Sequence, residues 1–130
     1  MNNELSRPFN VEMLAAALRA DARDLNMFLE AIAARLSNVL PAQTVVTRHF
    51  GLSSERPIKE VSVTLGEHRY RLHKEKRGPL QSMRANVVRG IVLKTEELPL
   101  DRWIDELAQS LSQAATESAS IRAAFERFLL

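Results

Sequence analysis

Apolar residues recur every seven positions through the first third of the chain. Val11, Leu18, Leu25, Ile32 and Val39 form one series, and Ala15, Ala22, Leu29 and Leu36 form a second. Two such series on one face are the seam of a helix. They predict a helix from Val11 to about Val39, stopped by Pro41. Asn10 suits its N-cap, and Phe9 with Leu14 takes the positions of a hydrophobic staple. Leu14 and Phe28 widen the seam, and residues 1–9 form a lead-in. The last third repeats the pattern with Leu100, Leu107, Ala114, Ile121 and Phe128, offset by Ile104, Leu111, Ser118 and Phe125. Pro99 suits a helix start, and Asp101, Asp105 and Glu106 complement the positive end of the helix dipole. The small polar run around Ser118 predicts a kink or break.

Between the helices the period changes from seven to two. Val61, Val63 and Leu65 alternate with Ser62 and Thr64. Gly66-Glu67 suits a two-residue II′ turn, because its first position needs positive φ. Such a turn sets Leu65 opposite His68, Val63 opposite Tyr70 and Val61 opposite Leu72. One face of the hairpin is then apolar. The other carries Glu60, Ser62, Thr64, Arg69, Arg71 and His73. A first strand is expected over Thr44–Phe50, with Val46 and Phe50 on one side. A fourth is expected over Leu80–Lys94, with a bulge near Val88–Gly90. The connections are short, so the expected architecture is α+β. A four-stranded antiparallel meander carries two long helices on one face, in a single domain over residues 1–130. Continuous helices of roughly 45 Å would overhang strands of roughly 26 Å. The seams around Leu18, Leu25, Ile32, Leu107 and Leu111 are therefore expected to form the core, a dimer contact, or both.

Charge changes this picture locally. Net charge is +2, yet residues 42–95 hold eleven Lys or Arg and four Glu, a net +7, and residues 96–130 come to −4. The basic sheet can be neutralised by the acidic helix, or can meet an anionic partner. Arg69, Arg71, His73 and Arg84 are the candidate anionic-partner surface. There is no cysteine, which excludes disulfides, thiol nucleophiles and Cys-ligated metals. The start MNNELSRPFN has no apolar core of a signal peptide, and the longest uncharged run, Leu36–Thr47, is too short to span a bilayer. A cytoplasmic chain without a membrane role is expected.

Enzyme chemistry finds little support. The four glycines are scattered, which is unlike a phosphate-cradling loop. His49, His68 and His73 lie on strands, and His68 and His73 point to opposite faces, so no metal site is expected. Glu60, His73 and Ser62 form the one cluster that looks catalytic, and its simpler reading is a cross-strand ion pair. Readers of single strands stack bases on outward aromatics, and Tyr70 faces the apolar side. Trp103 flanks the second seam and is expected to close the core against a strand, while Glu96-Glu97 offers an acidic contact. The order of helix, strand meander and helix resembles the layout of YbaB-type nucleoid proteins and, more loosely, of secretion chaperones, a likeness that carries no function. No catalytic residue and no cofactor is assigned. The expected function is a non-enzymatic bacterial interaction or chaperone-like module, a homodimer with a further protein partner. The alternative is a nucleic-acid backbone binder.

Overall fold

Alternating apolar residues make the middle of the chain a sheet, and the register of one hairpin decides which face is covered. The computed structural model describes residues 15–16, 24–51, 56–119 and 121–123. Helix α1 (Leu25–Val39) is followed by strands β1 (Thr44–Arg48), β2 (Ile58–Leu65), β3 (His68–Lys74), β4 (Leu80–Val88) and β5 (Ile91–Glu97), then by helix α2 (Leu100–Glu117). The strands form one antiparallel meander in sequence order.

The β2–β3 hairpin has the predicted register: Leu65 faces His68, Val63 faces Tyr70 and Val61 faces Leu72. Gly66 has φ 59°, as the first position of a II′ turn requires. The apolar face so created is covered by both helices. α1 lies over β1 and β2, and α2 over β2 and β4. Phe28, Leu29, Ile32 and Leu36 of α1 and Trp103, Ile104, Leu107 and Leu111 of α2 join Val61, Val63, Tyr70 and Leu72 in one core cluster. Complete burial of a side chain of this size contributes roughly 1.5–3 kcal/mol. Trp103 meets Tyr70 edge to face at 6.2 Å, and its indole N–H donates to the Met83 carbonyl at 3.1 Å.

Three expectations change. The sheet has five strands, because Leu80–Lys94 is two strands rather than one. Arg89 and Gly90 both take positive φ, 53° and 82°, the pattern of a two-residue I′ turn. With arginine in place of the usual Asn or Asp, Gly90 is the one turn residue in the run Val87 to Val92, and alone it reads equally as a bulge. The bulge lies just beyond the turn: Asn86 pairs with Lys94 and Val87 with Val92, which leaves Leu93 as the extra residue.

The first helix does not run unbroken from Val11 to Val39. Asp24 is extended, with φ −113° and ψ 112°, and its carboxylate accepts from the N–H groups of Asn26 and Met27 at 3.0 and 3.2 Å. It is an N-cap, so α1 starts afresh at Leu25. Ala15 and Ala16 are helical, and Ala15 is buried in the core. The lead-in over 1–9, the N-cap at Asn10, the staple of Phe9 with Leu14, and Leu18 lie outside the described residues. At the other end of the chain, α2 leaves helical geometry at Ser118, whose hydroxyl then accepts from the Ile121 N–H at 3.3 Å.

Third, the helices do not overhang. With 15 and 18 residues they are roughly 22 and 27 Å long, matched to the strands. Ile32, Leu107 and Leu111 are buried in the core cluster with the sheet of their own chain, and Leu25 is half-buried. No helix among the described residues is long and apolar enough to cross a membrane.

The β4–β5 turn generates a prediction. Left-handed geometry costs a side-chain-bearing residue on the order of 1 kcal/mol, least for Asn. Arg89→Asn should therefore raise the urea midpoint by the equivalent of about 0.5–1 kcal/mol, whereas Arg89→Val should lower it. Equal midpoints for the two variants would contradict the turn.

Candidate functional site

Strand pleating sorts the candidate residues onto two faces. On the uncovered face Arg69, Arg71 and His73 stand in a row on β3, opposite Thr64, Ser62 and Glu60 of β2. These side chains engage one another. Arg71 Nη2 donates to Glu60 Oε1 at 2.9 Å, and His73 Nδ1 lies 3.2 Å from the same oxygen. His73 Nε2 lies 2.8 Å from Glu75 Oε1, and Arg69 Nε donates to Thr64 Oγ1 at 3.1 Å. The His73 hydrogen bond is the chief reason that the Glu75 carboxyl is held below its ordinary range. The expected Glu60–His73 contact is present. Carboxylates lie at both ring nitrogens of His73, and Ser62 stands across from Arg71.

Arg84 is a correction. It pairs with Tyr70, while Met83 pairs with Arg71, so Arg84 points to the helix-covered face and is separated from the other three. There it lies between Glu106 of α2 and Glu96 of β5, and Arg102 Nε reaches the second oxygen of Glu106 at 2.7 Å. Burial works against the Arg84 charge, but the Glu96 hydrogen bond and the charges of Glu106 and Glu96 outweigh it and raise its pKa. Arg84 in turn holds the Glu96 carboxyl low. The Tyr70 hydroxyl donates to the Glu106 carbonyl at 3.2 Å and lies 2.6 Å from Ser110 Oγ, and burial pushes its pKa up. Arg84 therefore ties α2 and β5 to the centre of the sheet. Alternation within β4 is visible in the sequence. The phase between β3 and β4 depends on the turn that joins them.

Three further surfaces stand out. Between α1 and β1 an open cleft of about 570 Å³ is lined by Glu30, Ala33, Val46 and Arg48 among others. Two of its lining residues pair with each other: Arg48 donates to both Glu30 oxygens at 2.8 and 2.9 Å and holds that carboxyl below its ordinary range. Beyond β1, Phe50 is 91 % exposed, outside the strand that was expected to include it. The Lys76 ammonium donates to its carbonyl at 3.0 Å, and His49 Nε2 lies 2.8 Å from the Lys74 carbonyl. No group of three metal-ligating side chains occurs among the described residues.

The third surface is the β5 edge. Ile91, Val92 and Leu93 are 63 %, 46 % and 65 % exposed. The Leu98 N–H donates to the Ser82 carbonyl at 2.9 Å. In an antiparallel ladder this parity turns the main-chain groups of Glu96 and Lys94 toward β4, and those of Thr95 and Glu97 away from it. Unpaired backbone groups beside apolar side chains are a template for another strand. With the Arg89-Gly90 turn unread, this edge was not visible in the sequence.

No family model matches this chain, and neither a curated protein nor a solved structure does.

Two outcomes follow from the ion pairs. Arg84→Met, which leaves two carboxylates without their cation, should cost about 1–3 kcal/mol in urea denaturation. Arg71→Met, on the open face, should cost under about 1 kcal/mol. Equal losses would refute the distinction. Because the folded Glu30 carboxyl titrates below its ordinary value of 4.5, its contribution is complete above that value and is lost as pH falls through the lower folded value. Between about pH 5 and pH 3 the wild type should therefore lose stability more steeply than Glu30→Gln.

Proposed function

We propose that this chain is a non-enzymatic cytoplasmic protein-interaction module that engages its partners along the edge of β5. The observation that carries this reading is the edge itself. It is a seven-residue strand at the margin of the sheet, with Ile91, Val92 and Leu93 exposed. Added strands gain affinity from main-chain hydrogen bonds and specificity from alternate side chains. Of the helix seams expected from the sequence, Ile32, Leu107 and Leu111 are buried in the core of the same chain. The opposite edge suits binding less well. β1 has five residues, shifts register at Thr47/Arg48, and is tied to α1 through Arg48 and Glu30.

A second reading, polyanion binding, is favoured by one observation. Phe50 projects into solvent beside Lys76, which offers a ring for stacking and a cation for phosphate. This moves the nucleic-acid alternative away from Arg69 and Arg71, whose side chains are engaged across the hairpin.

Thr95→Pro tests the first reading. The Thr95 N–H points away from β4, so proline removes no ladder bond there and is tolerated on such an edge. In co-purification, the variant should keep the wild-type circular dichroism and lose the partners that the wild type retains. Full partner retention by a folded variant would refute edge binding. For the second reading, retention of single-stranded DNA or RNA at low salt should fall on Phe50→Ala and again on Lys76→Glu. Retention indifferent to both changes would remove it.

A further inference from the structure

The geometry points to a second copy of this chain as the partner of the β5 edge, joined about a two-fold axis at Thr95. This rests on the edge reading above and specifies the occupant and its register. Two copies of one strand pair isologously only when they run antiparallel. Residues whose main-chain groups face outward must then meet each other, which restricts the axis to a residue rather than a gap between residues. The ladder is bounded by the extra residue Leu93 on one side and by Pro99, which has no N–H, on the other.

Charge separates the axes that remain. An axis at Lys94 sets two ammonium groups directly opposite each other. An axis at Glu96 or Glu97 sets two carboxylates opposite. Like charges directly opposite are destabilising. An axis at Thr95 sets Thr95 against its own copy. Lys94 then lies against Glu96 of the other copy, twice by symmetry. These are the close, non-hydrogen-bonded positions, where side chains come nearest. Both side chains also lie on the same face, since Lys94 pairs with Asn86 and Glu96 with Arg84. The larger helix contacts are with β1, β2 and β4 rather than with β5. The result is a continuous ten-stranded sheet, with Leu93 of each copy across from the Glu97 stem of the other.

Cysteine cross-linking tests the register directly, because the chain has no cysteine of its own. Facing Cα atoms on the axis lie about 5.5 Å apart, within disulfide range. Mild oxidation should convert Thr95→Cys to a covalent dimer. Glu97→Cys should stay uncoupled, with its two copies roughly 14 Å apart. In sedimentation equilibrium, Lys94→Glu should weaken self-association about tenfold, and Lys94→Glu/Glu96→Lys should recover most of the loss. Glu96→Lys alone also removes the Arg84 contact, so the cysteine pair carries the test if the double variant does not fold. Equal cross-linking of the two cysteine variants overturns the register, as does a dimer indifferent to Lys94→Glu. A wild-type chain that stays monomeric at high micromolar concentration overturns self-pairing. That failure is distinct from failure of the edge reading, which shows as retention of other partners by Thr95→Pro.

Discussion

A slip of one residue between β2 and β3 would turn Val61, Val63, Tyr70 and Leu72 out of the core together, because side chains alternate with a period of two. The two-residue turn at Gly66-Glu67 prevents it. Everything else in the molecule takes its place from that register. It presents one apolar face, on which both helices lay their seams, and it stacks Glu60, Arg71 and His73 on the other, where they bind one another. Glu60 thus offsets part of the positive charge on that face, while Arg69 meets the neutral Thr64 hydroxyl on β2.

The hairpin, the meander, the two helices and the break at Ser118 were legible in the sequence because each rests on a local signal. Those signals are a glycine that needs positive φ, a change of period, and a run of small polar residues. Asp24 was lost beneath the heptads. Hydrophobic period reports which face is buried, and the sevenfold series passes Asp24 without a gap, so it carries no sign of the cap. The turn at Arg89-Gly90 was lost for a different reason. Its geometry is imposed by pairing of the flanking strands, and an arginine at φ 53° gives no local preference for it.

Arg84 shows how a misplaced turn propagates to function. Within β4 its direction relative to Met83 and Ala85 is plain from alternation. Its face relative to Arg69 and Arg71 depends on the register across the β3–β4 connection, which has no two-residue turn to fix it. The structure sets Arg84 opposite Tyr70, beneath α2, where Glu106 and Glu96 neutralise it. The acidic C-terminal helix and the basic sheet thus meet within the chain, at least at this point. An arginine on a strand is evidence for an anionic partner only after its own chain's carboxylates have been counted.

The two margins of the sheet differ in a way that bears on assembly. β1 is short, irregular at Thr47/Arg48 and fastened to α1 by the Arg48–Glu30 pair, features that blunt an edge against pairing. β5 is longer, uncovered and apolar at one end, and its charges fall in the order Lys94, Glu96, Glu97. Lysine on an edge is a common guard against promiscuous pairing. Here it also distinguishes registers, since only an axis between Lys94 and Glu96 sets unlike charges opposite. Pairing of β5 with its own copy is isologous and uses up the open edge of each chain. The margins that remain exposed are then the two β1 strands, which are the guarded ones. On that pairing a sheet with one open and one blunted edge would close at two chains, whereas two open edges would propagate into a filament.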